Sequence, residues 1–447
     1  MQRNVQTLPH RCVTLNPPAK NNGRPNSAHE PVARPTLSPI SPSPLQIMAN
    51  TLLVLNAGSS SLKFSLFELP AQGKLQAVAV GQIEGLGGAP HLEARDGDGR
   101  PLADIRWDSG QLTTHAAALQ QIDALLRERF SKLQLLGVGH RVVHGGAQHS
   151  APLLITPAAL DTLATFIPLA PLHQPHNLAA IRALQQSHPG LPQVACFDTA
   201  FHRTQLGIGE YYGLPYEYYQ RGVRRYGFHG LSYEYIAATL PSVAPTIADG
   251  RVIVAHLGSG ASLCAMHRRR SVGSSMGFTA LDGLMMGTRP GNIDPGIVLY
   301  LLQHEGLTPA EIEELLYKRS GLLGLSGISN DMRLLEASDA PRARLAIDHF
   351  VYRIQREIGA LAAVLGGLDA LVFTGGIGEN SVAIRRQICT HATWLGVDLD
   401  PAANERGETC LTRAGSAVSA WVVPTNEERM IARHTRAVLG VCRTALR

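Results

Sequence analysis

Leu52-Leu53-Val54-Leu55-Asn56-Ala57-Gly58-Ser59-Ser60-Ser61-Leu62-Lys63-Phe64-Ser65-Leu66-Phe67 reads as an apolar run, a small polar turn and a run with apolar alternation. That pattern is strand, tight loop, strand. Gly58 turns the backbone where a Cβ would clash. The hydroxyls of Ser59 and Ser61 and the loop N–H groups can donate to phosphate oxygens, and Lys63 adds a point charge. Asn56 closes the first strand with an amide oxygen suited to Mg²⁺ or to a water on it. Taken alone, the stretch is equally a plain β-hairpin with a polar tip.

The same design returns further on. Val252-Ile253-Val254-Ala255-His256-Leu257-Gly258-Ser259-Gly260-Ala261-Ser262-Leu263 is again strand, Gly/Ser turn, strand. Two such hairpins suggest two halves built on one plan. Ala370-Leu371-Val372-Phe373-Thr374 is a buried strand running into Gly375-Gly376-Ile377-Gly378-Glu379-Asn380, with Asn380 or Ser381 capping the next helix. All three arrangements present backbone N–H groups to anions, and the last adds a helix N-terminus. There is no GxxxxGK[ST], no HRD and no DFG, which excludes a P-loop enzyme and a protein kinase. Gly376-x-Gly378 lacks the third glycine of a dinucleotide fold. Several phosphate cradles in one chain point to a nucleoside triphosphate held across a cleft.

Composition fits a globular protein: 447 residues, 45% hydrophobic and 17% charged, enough for two or three domains. Residues 1–47 carry Arg3, Arg11, Lys20, Arg24 and Arg34 against Glu30 alone, so most of the net charge of +5 sits there. The remainder is close to neutral and presents neither a nucleic-acid nor a membrane surface. No apolar run approaches the roughly 18–20 residues that cross a bilayer. The six cysteines are scattered with no CxxC pair; buried, reduced thiols in a cytoplasmic protein are expected. Nine of the 28 prolines fall within residues 1–47. That density predicts a disordered extension, or an upstream start codon read in error with Met48 as the natural beginning.

Further elements follow in order. Three strands span Thr51 to about Ile83, with short strands and turns over 84–110. Thr114–Phe130 is an amphipathic helix with Ala117, Leu119, Ile122, Leu125 and Leu126 on one face. Leu133–Val143 is a strand ending in Gly139-His140-Arg141-Val142-Val143-His144-Gly145-Gly146. Pro157–Thr165 and Asn177–Gln186 are helices, with Pro168, Pro171 and Pro175 between them. Val194–Thr199 is a buried strand carrying Asp198 at its end. Tyr226-Gly227-Phe228-His229-Gly230 is a polar turn before the helix Ser232–Leu240, and 274–297 is loop. Thr308-Pro309-Ala310-Glu311 and Thr425-Asn426-Glu427-Glu428 read as capping boxes. Pro341–Leu365 is a long helix with inward spacing at Leu345, Phe350, Ile354, Ile358 and Leu361.

The segments at 52–67, 139–146, 196–202, 226–233, 256–263, 276–296, 373–381 and 423–428 resemble those of the acetate kinases, in that family's order, from about residue 51 to 438. The resemblance implies an α/β fold of duplicated ribonuclease H-like domains, the actin-type ATPase class, closing over ATP. It implies an N-terminal domain at 48–198 completed by a helix within 424–447, and a nucleotide-binding domain at 199–423. The implied activity is reversible, Mg²⁺-dependent phosphoryl transfer from ATP to acetate, giving acetyl phosphate and ADP; Mn²⁺ is the alternative metal. A homodimer is implied as well.

The implied roles make physical sense. Arg141 matches the acetate-binding arginine, and its planar fork suits a carboxylate. Arg289 matches the arginine on the transferring phosphoryl group, and His229 a donor to the same oxygens. Asp198 matches the acid near the acceptor; acetate is already ionised at neutral pH, so a base is not needed. Asn56 and Glu427 match the magnesium positions, though an acid in a first helical turn also serves the helix dipole. Ser59, Ser61 and Lys63 match one phosphate hairpin, and His256, Leu257, Gly258, Ser259 and Gly260 the other. Asp331, Met332, Arg333 and Gly376, Ile377, Gly378, Glu379, Asn380 match the nucleotide pocket. Val143, Leu172 and Phe228 match the acyl walls, with His173 beside them. Ala280 stands where many members carry proline, which opens room for propionate as the rival substrate. Another class, an ATP-driven binding protein of the actin or chaperone type, would need no carboxylate-binding arginine.

Overall fold

The computed structural model describes residues 50–70, 74–132 and 134–441. The extension expected at 1–47 and the strand start expected at Leu133 lie outside these residues.

The first sheet holds β1 (Asn50–Ala57), β2 (Ser61–Glu68), β3 (Gln76–Glu84), β4 (His91–Asp96), β5 (Pro101–Arg106), β6 (Gln134–Val142), β7 (Leu153–Leu154) and β8 (Gln193–Phe197). Its order is β5-β4-β3-β2-β1-β6-β8-β7. The second sheet holds β9 (Arg251–Leu257), β10 (Ala261–His267), β11 (Arg270–Ser274), β12 (Ala370–Thr374) and β13 (Ser419–Val422), in the order β11-β10-β9-β12-β13. In the first, β3, β2 and β1 form an antiparallel meander, and β6 and β8 follow in parallel. In the second, β11, β10 and β9 form the meander, and β12 and β13 follow in parallel. The echo between the two hairpins is therefore a repeat of a whole topology.

Both opening strands are buried on two faces, which explains their continuous apolar runs. Side chains alternate across a strand. Leu53 and Leu55 join the core beneath the helix His115–Arg129, while Val54 meets Met430, Ile431 and Ala432 of the C-terminal helix Glu427–Leu439. That helix crosses back onto the first sheet at close range. A Cβ at Gly139 would stand 2.2 Å from Thr435 Oγ1 and 2.6 Å from Ile431 Cγ2, so only glycine fits beneath it.

Several boundaries move for identifiable reasons. The helix expected from Asn177 begins at Gln174, because Pro175 occupies its first turn, where a missing N–H costs nothing. Leu345 is exposed, and Ala343, Ala346 and Ile347 take the inward positions of Pro341–Leu365 beside Phe350, Ile354, Ile358 and Leu361. Thr308 forms its capping box with Glu311. Thr425 does not cap the last helix; Asn426 does, accepting from Arg429 N. The Thr425 hydroxyl instead accepts from Ser232, and its N–H donates to Glu379. Ser381, not Asn380, caps the helix Val382–His391. The helix expected at 232–240 runs Gly230–Val243 and carries Pro241 in its last turn.

No described helix is long and apolar enough to cross a membrane. Cys196, Cys264 and Cys389 are free and buried. Burial pushes the thiols of Cys264 and Cys389 up to about 12, which leaves them inert at neutral pH.

Candidate active site

Parallel strands deliver their C-terminal ends to one edge of a sheet, and both sheets use that edge. β6 carries Arg141, and Asp198 follows β8 directly. Arg141 Nε donates to Asp198 Oδ1 at 2.9 Å and Nη2 donates to Oδ2 at 2.6 Å. Nη1 reaches Asn56 Oδ1 at 3.5 Å, and Glu427 Oε2 lies 3.8 Å from Nε. Three residues far apart in sequence thus converge on one guanidinium. Burial disfavours its charge, but Asp198 and then Glu427 more than offset this and hold its pKa above the ordinary arginine value.

Glu427 opens the C-terminal helix. Burial raises its pKa to about 7, opposed by Arg141 and reinforced by Asp198 and Glu428; Lys63 lowers it further down the order. Lys63 therefore lies within electrostatic reach of the same centre. It pairs with Asn56 across the β1–β2 hairpin. The hairpin itself is tight, with Gly58 N donating to Ser61 O at 2.9 Å, and Ser59 is exposed at its tip.

The second half contributes the opposite wall. His229 caps the helix Gly230–Val243 from a left-handed conformation, φ 57°. Its ring stacks on His256, with centroids 4.4 Å apart. Burial, then His256, Arg141 and Arg289, holds His229 well below its ordinary pKa, so the imidazole is neutral. Burial and then Arg141 lower His256 to about 4. His173, at the start of the helix Gln174–Ser187, is likewise lowered to about 4 by burial, then Arg289 and Arg141. Arg289 Nη1 donates to Ala280 O at 2.8 Å. Burial and then Arg141 lower its pKa to about 10, which still leaves it charged at neutral pH. A Cβ at Gly260 would stand 3.1 Å from Arg289 Nη2 and 3.1 Å from His229 Nε2. Two side-chain nitrogens thus flank one bare turn.

Val143 and Phe228 share one apolar cluster, with Ala280 packed against it. Leu172 is half-buried nearby in sequence to His173. Around the second hairpin, Gly258 N donates to Gly260 O and Gly287 N to Ser259 O, each at 3.0 Å. A Cβ at Gly258 would lie 3.9 Å from Gly376 N. Residues Gly375–Asn380 form a single helical turn, with Ile377 half-buried and Asn380 Nδ2 donating to Gly376 O. Asp331 caps the short helix Met332–Glu336 and pairs with the highly exposed Arg333. Met332 is buried in the core. The Glu379 carboxylate is spent on the scaffold: Oε1 accepts from Gly375 N at 2.8 Å, Thr425 N at 3.2 Å and Thr374 Oγ1 at 3.3 Å.

Sequence reading missed several residues that hold this arrangement. Asn177 accepts from Val143 N at 3.0 Å and donates to Ala57 O at 2.7 Å, which ties the end of β6 to the first hairpin. His115 Nε2 lies 2.7 Å from Gly58 O. His202 Nε2 lies 2.8 Å from Phe228 O. Ser262 lies 2.8 Å from His229 Nδ1. Each acts through a partner distant in the sequence, which no local pattern reveals.

A model of the acetokinase family matches residues 51–433. An acetate kinase of Nitrobacter hamburgensis is 54% identical over 390 residues, covering 87% of this chain and 96% of that protein. The crystal structure of Porphyromonas gingivalis acetate kinase is 39% identical, with a TM-score of 0.77, over 88% of this chain and 100% of that one. That of a propionate kinase from Francisella tularensis is 37% identical, with a TM-score of 0.79, over 86% of this chain and 98% of that one. The duplicated α/β architecture of the actin-type ATPase class is shared with these structures.

Proposed function

The chain belongs to the acetokinase family, and we infer from that membership how its site works. It is a phosphotransferase with a carboxyl group as acceptor, an acetate kinase that interconverts acetate and ATP with acetyl phosphate and ADP. The observation that carries the residue-level reading is that Arg141, held by Asp198, lies within electrostatic reach of Arg289 and His229, whose Nη2 and Nε2 flank Gly260.

In this reading Arg141 takes the acetate carboxylate on the donors that Asp198 leaves free. Asp198 orients it and removes no proton, since acetate arrives ionised. Val143, Leu172, Phe228 and Ala280 enclose the methyl group, with His173 beside them. The acetate oxygen then meets the γ-phosphorus in line. The phosphoryl group is loose and its charge spreads over equatorial oxygens, so fixed donors are what the protein supplies. Arg289 and His229 Nε2 are those donors. Ser59, Ser61, Lys63 and the turn from His256 to Gly260 hold the phosphates. Asp331, Arg333, Ile377 and the turn from Gly376 to Asn380 hold the nucleoside, with Ile377 against the base; Met332 and Glu379 act through the scaffold.

The oxygens of Asn56 and Glu427 suit a hard divalent cation. A buried carboxyl raised to about 7 lacks a full counter-charge, which fits a cation there. Mg²⁺ would neutralise phosphate charge when bound, and Mn²⁺ accepts the same ligands. Domains at 48–198 with the C-terminal helix, and at 199–423, a homodimeric state and a cytoplasmic location complete the proposal.

Trapping acetyl phosphate as the hydroxamate tests the activity. Formation that requires acetate, ATP and Mg²⁺ together is expected, and none under those conditions refutes the assignment. Ala280 and the likeness to a propionate kinase favour propionate as a second substrate.

A further inference from the structure

Ser262 points inward from β10 and is fully buried. Its Oγ lies 2.8 Å from His229 Nδ1. The Tyr233 hydroxyl makes a short hydrogen bond to the same oxygen. Tyr233 is also fully buried, one turn after His229 on the helix Gly230–Val243.

Counting protons fixes the direction of this chain. Burial holds the Tyr233 phenol well above its ordinary pKa, so it keeps its proton. Among the described residues, the acceptor for the phenol proton is Ser262 Oγ. If Tyr233 donates to Ser262, Ser262 donates to His229 Nδ1, and the single proton of the neutral imidazole sits on Nε2. Every hydroxyl proton then has an acceptor. The reverse order, from Nδ1–H through Ser262 to Tyr233, strands the phenol proton in a dry interior, an arrangement that buried polar groups avoid. Nε2 is the nitrogen that flanks Gly260 with Arg289 Nη2.

We propose that Ser262, whose oxygen accepts from Tyr233, is a positioning residue that sets the tautomer of His229, so that Nε2–H donates to the phosphoryl group in transit. The inference rests on the phosphoryl-transfer reading of the site for its use, but not for its geometry. A neutral imidazole with the wrong tautomer would aim a lone pair at an anion and repel it. The tautomer is thus a condition for His229 to help at all.

The test is heteronuclear NMR on the full-length, substrate-free protein with nitrogen-labelled histidine, which reads the ring nitrogen that bears the proton. The His229 signal is assigned by its loss in His229→Gln. The wild type is expected to show Nε2–H. Ser262→Ala removes the donor to Nδ1 and is expected to shift His229 toward Nδ1–H and lower kcat at least tenfold, by analogy with tautomer loss elsewhere, with KM values for acetate and ATP little changed. Tyr233→Phe leaves Ser262 donating to Nδ1 and is expected to keep Nε2–H. Ser262→Thr keeps the hydroxyl and is expected to retain the wild-type tautomer. A wild-type His229 protonated on Nδ1, or a Ser262→Ala protein that keeps Nε2–H, overturns the proposal. The spectrum needs no turnover. Nε2–H in a protein that forms no acetyl phosphate would sink the functional reading and leave the tautomer assignment supported.

Discussion

Arg141 grips Asp198 through two parallel hydrogen bonds, and the acid is only 2% exposed. One edge of the guanidinium is thereby committed, and the remaining donors are fixed in direction. Truncating either partner leaves the other charge buried and bare, which typically costs about 3–5 kcal/mol. Arg141→Ala is therefore expected to lower the melting temperature as well as the use of acetate. Asp198→Asn keeps the shape, should fold, and should lose about 10²-fold in kcat/KM for acetate through misplacement of Arg141. Melting curves and steady-state kinetics on both variants check this. Near-normal acetate kinetics in Asp198→Asn would show that the pair only braces the fold.

Gly260 leaves open the space between Arg289 Nη2 and His229 Nε2. A methyl group there would stand where a transferring group needs to be, and a displacement of about 1 Å costs roughly 10²-fold in rate. Its backbone is not in the left-handed region, so the fold should tolerate alanine. Gly260→Ala is predicted to melt like the wild type and to lose about 10²-fold in kcat. Retained turnover would place the phosphoryl path elsewhere.

Glu427 gives a pH signature. Its carboxyl is raised to about 7 by burial, despite Arg141. The folded protein holds this proton more tightly than the unfolded chain does. Stability of the metal-free protein should therefore fall as pH rises from the ordinary carboxylate value through about 7. A cation competes with the same proton, so apparent Mg²⁺ affinity should climb over that window and level above it. Glu427→Gln should flatten both curves. Titrations of stability and of Mg²⁺ dependence across that range decide the matter, and a flat wild-type profile would contradict it.

Ala280 packs against the cluster that holds Val143 and Phe228, while its carbonyl accepts from Arg289. One methylene in an apolar pocket is worth about 1–3 kcal/mol, or roughly 10–200-fold. The wild type should use propionate within that range of acetate. Ala280→Val should depress kcat/KM for propionate more than for acetate and leave the carbonyl bond to Arg289 in place. Equal losses for both acids would remove Ala280 as the specificity element.

Short-range chemistry was readable in the sequence; long-range polar partners were not. The two Gly/Ser hairpins and the turn at Gly375–Asn380 are contiguous, so their pattern was visible in the sequence, while Arg141 stood out only through the resemblance of 139–146 to the acetate kinases. Asn177 reads as one amide on an ordinary helix, yet it clamps Ala57 to Val143. Ser262 reads as strand filler until Tyr233 and His229 are folded onto it. Pattern also misled where tertiary partners outbid local ones. Thr425 has the sequence of an N-cap, but Ser232 and Glu379 claim its hydroxyl and amide, and the cap passes to Asn426. Leu345 fits the apolar period of its helix, but Ala343, Ala346 and Ile347 fill the contact and leave it outside. Glu379 sits in a glycine-rich turn that invites a ligand role, and its carboxylate serves three backbone and hydroxyl donors instead.

The helix Glu427–Leu439 seals a face of the sheet that begins at Asn50. On a ribosome those strands emerge early, and this cover is the last described helix to be translated. At about 5–20 residues per second, the nascent strands wait tens of seconds with Val54, Val194 and Cys196 unshielded. Chaperone occupancy is to be expected over that interval. A premature stop before codon 427 would leave an aggregation-prone sheet along with an enzyme short of one acid.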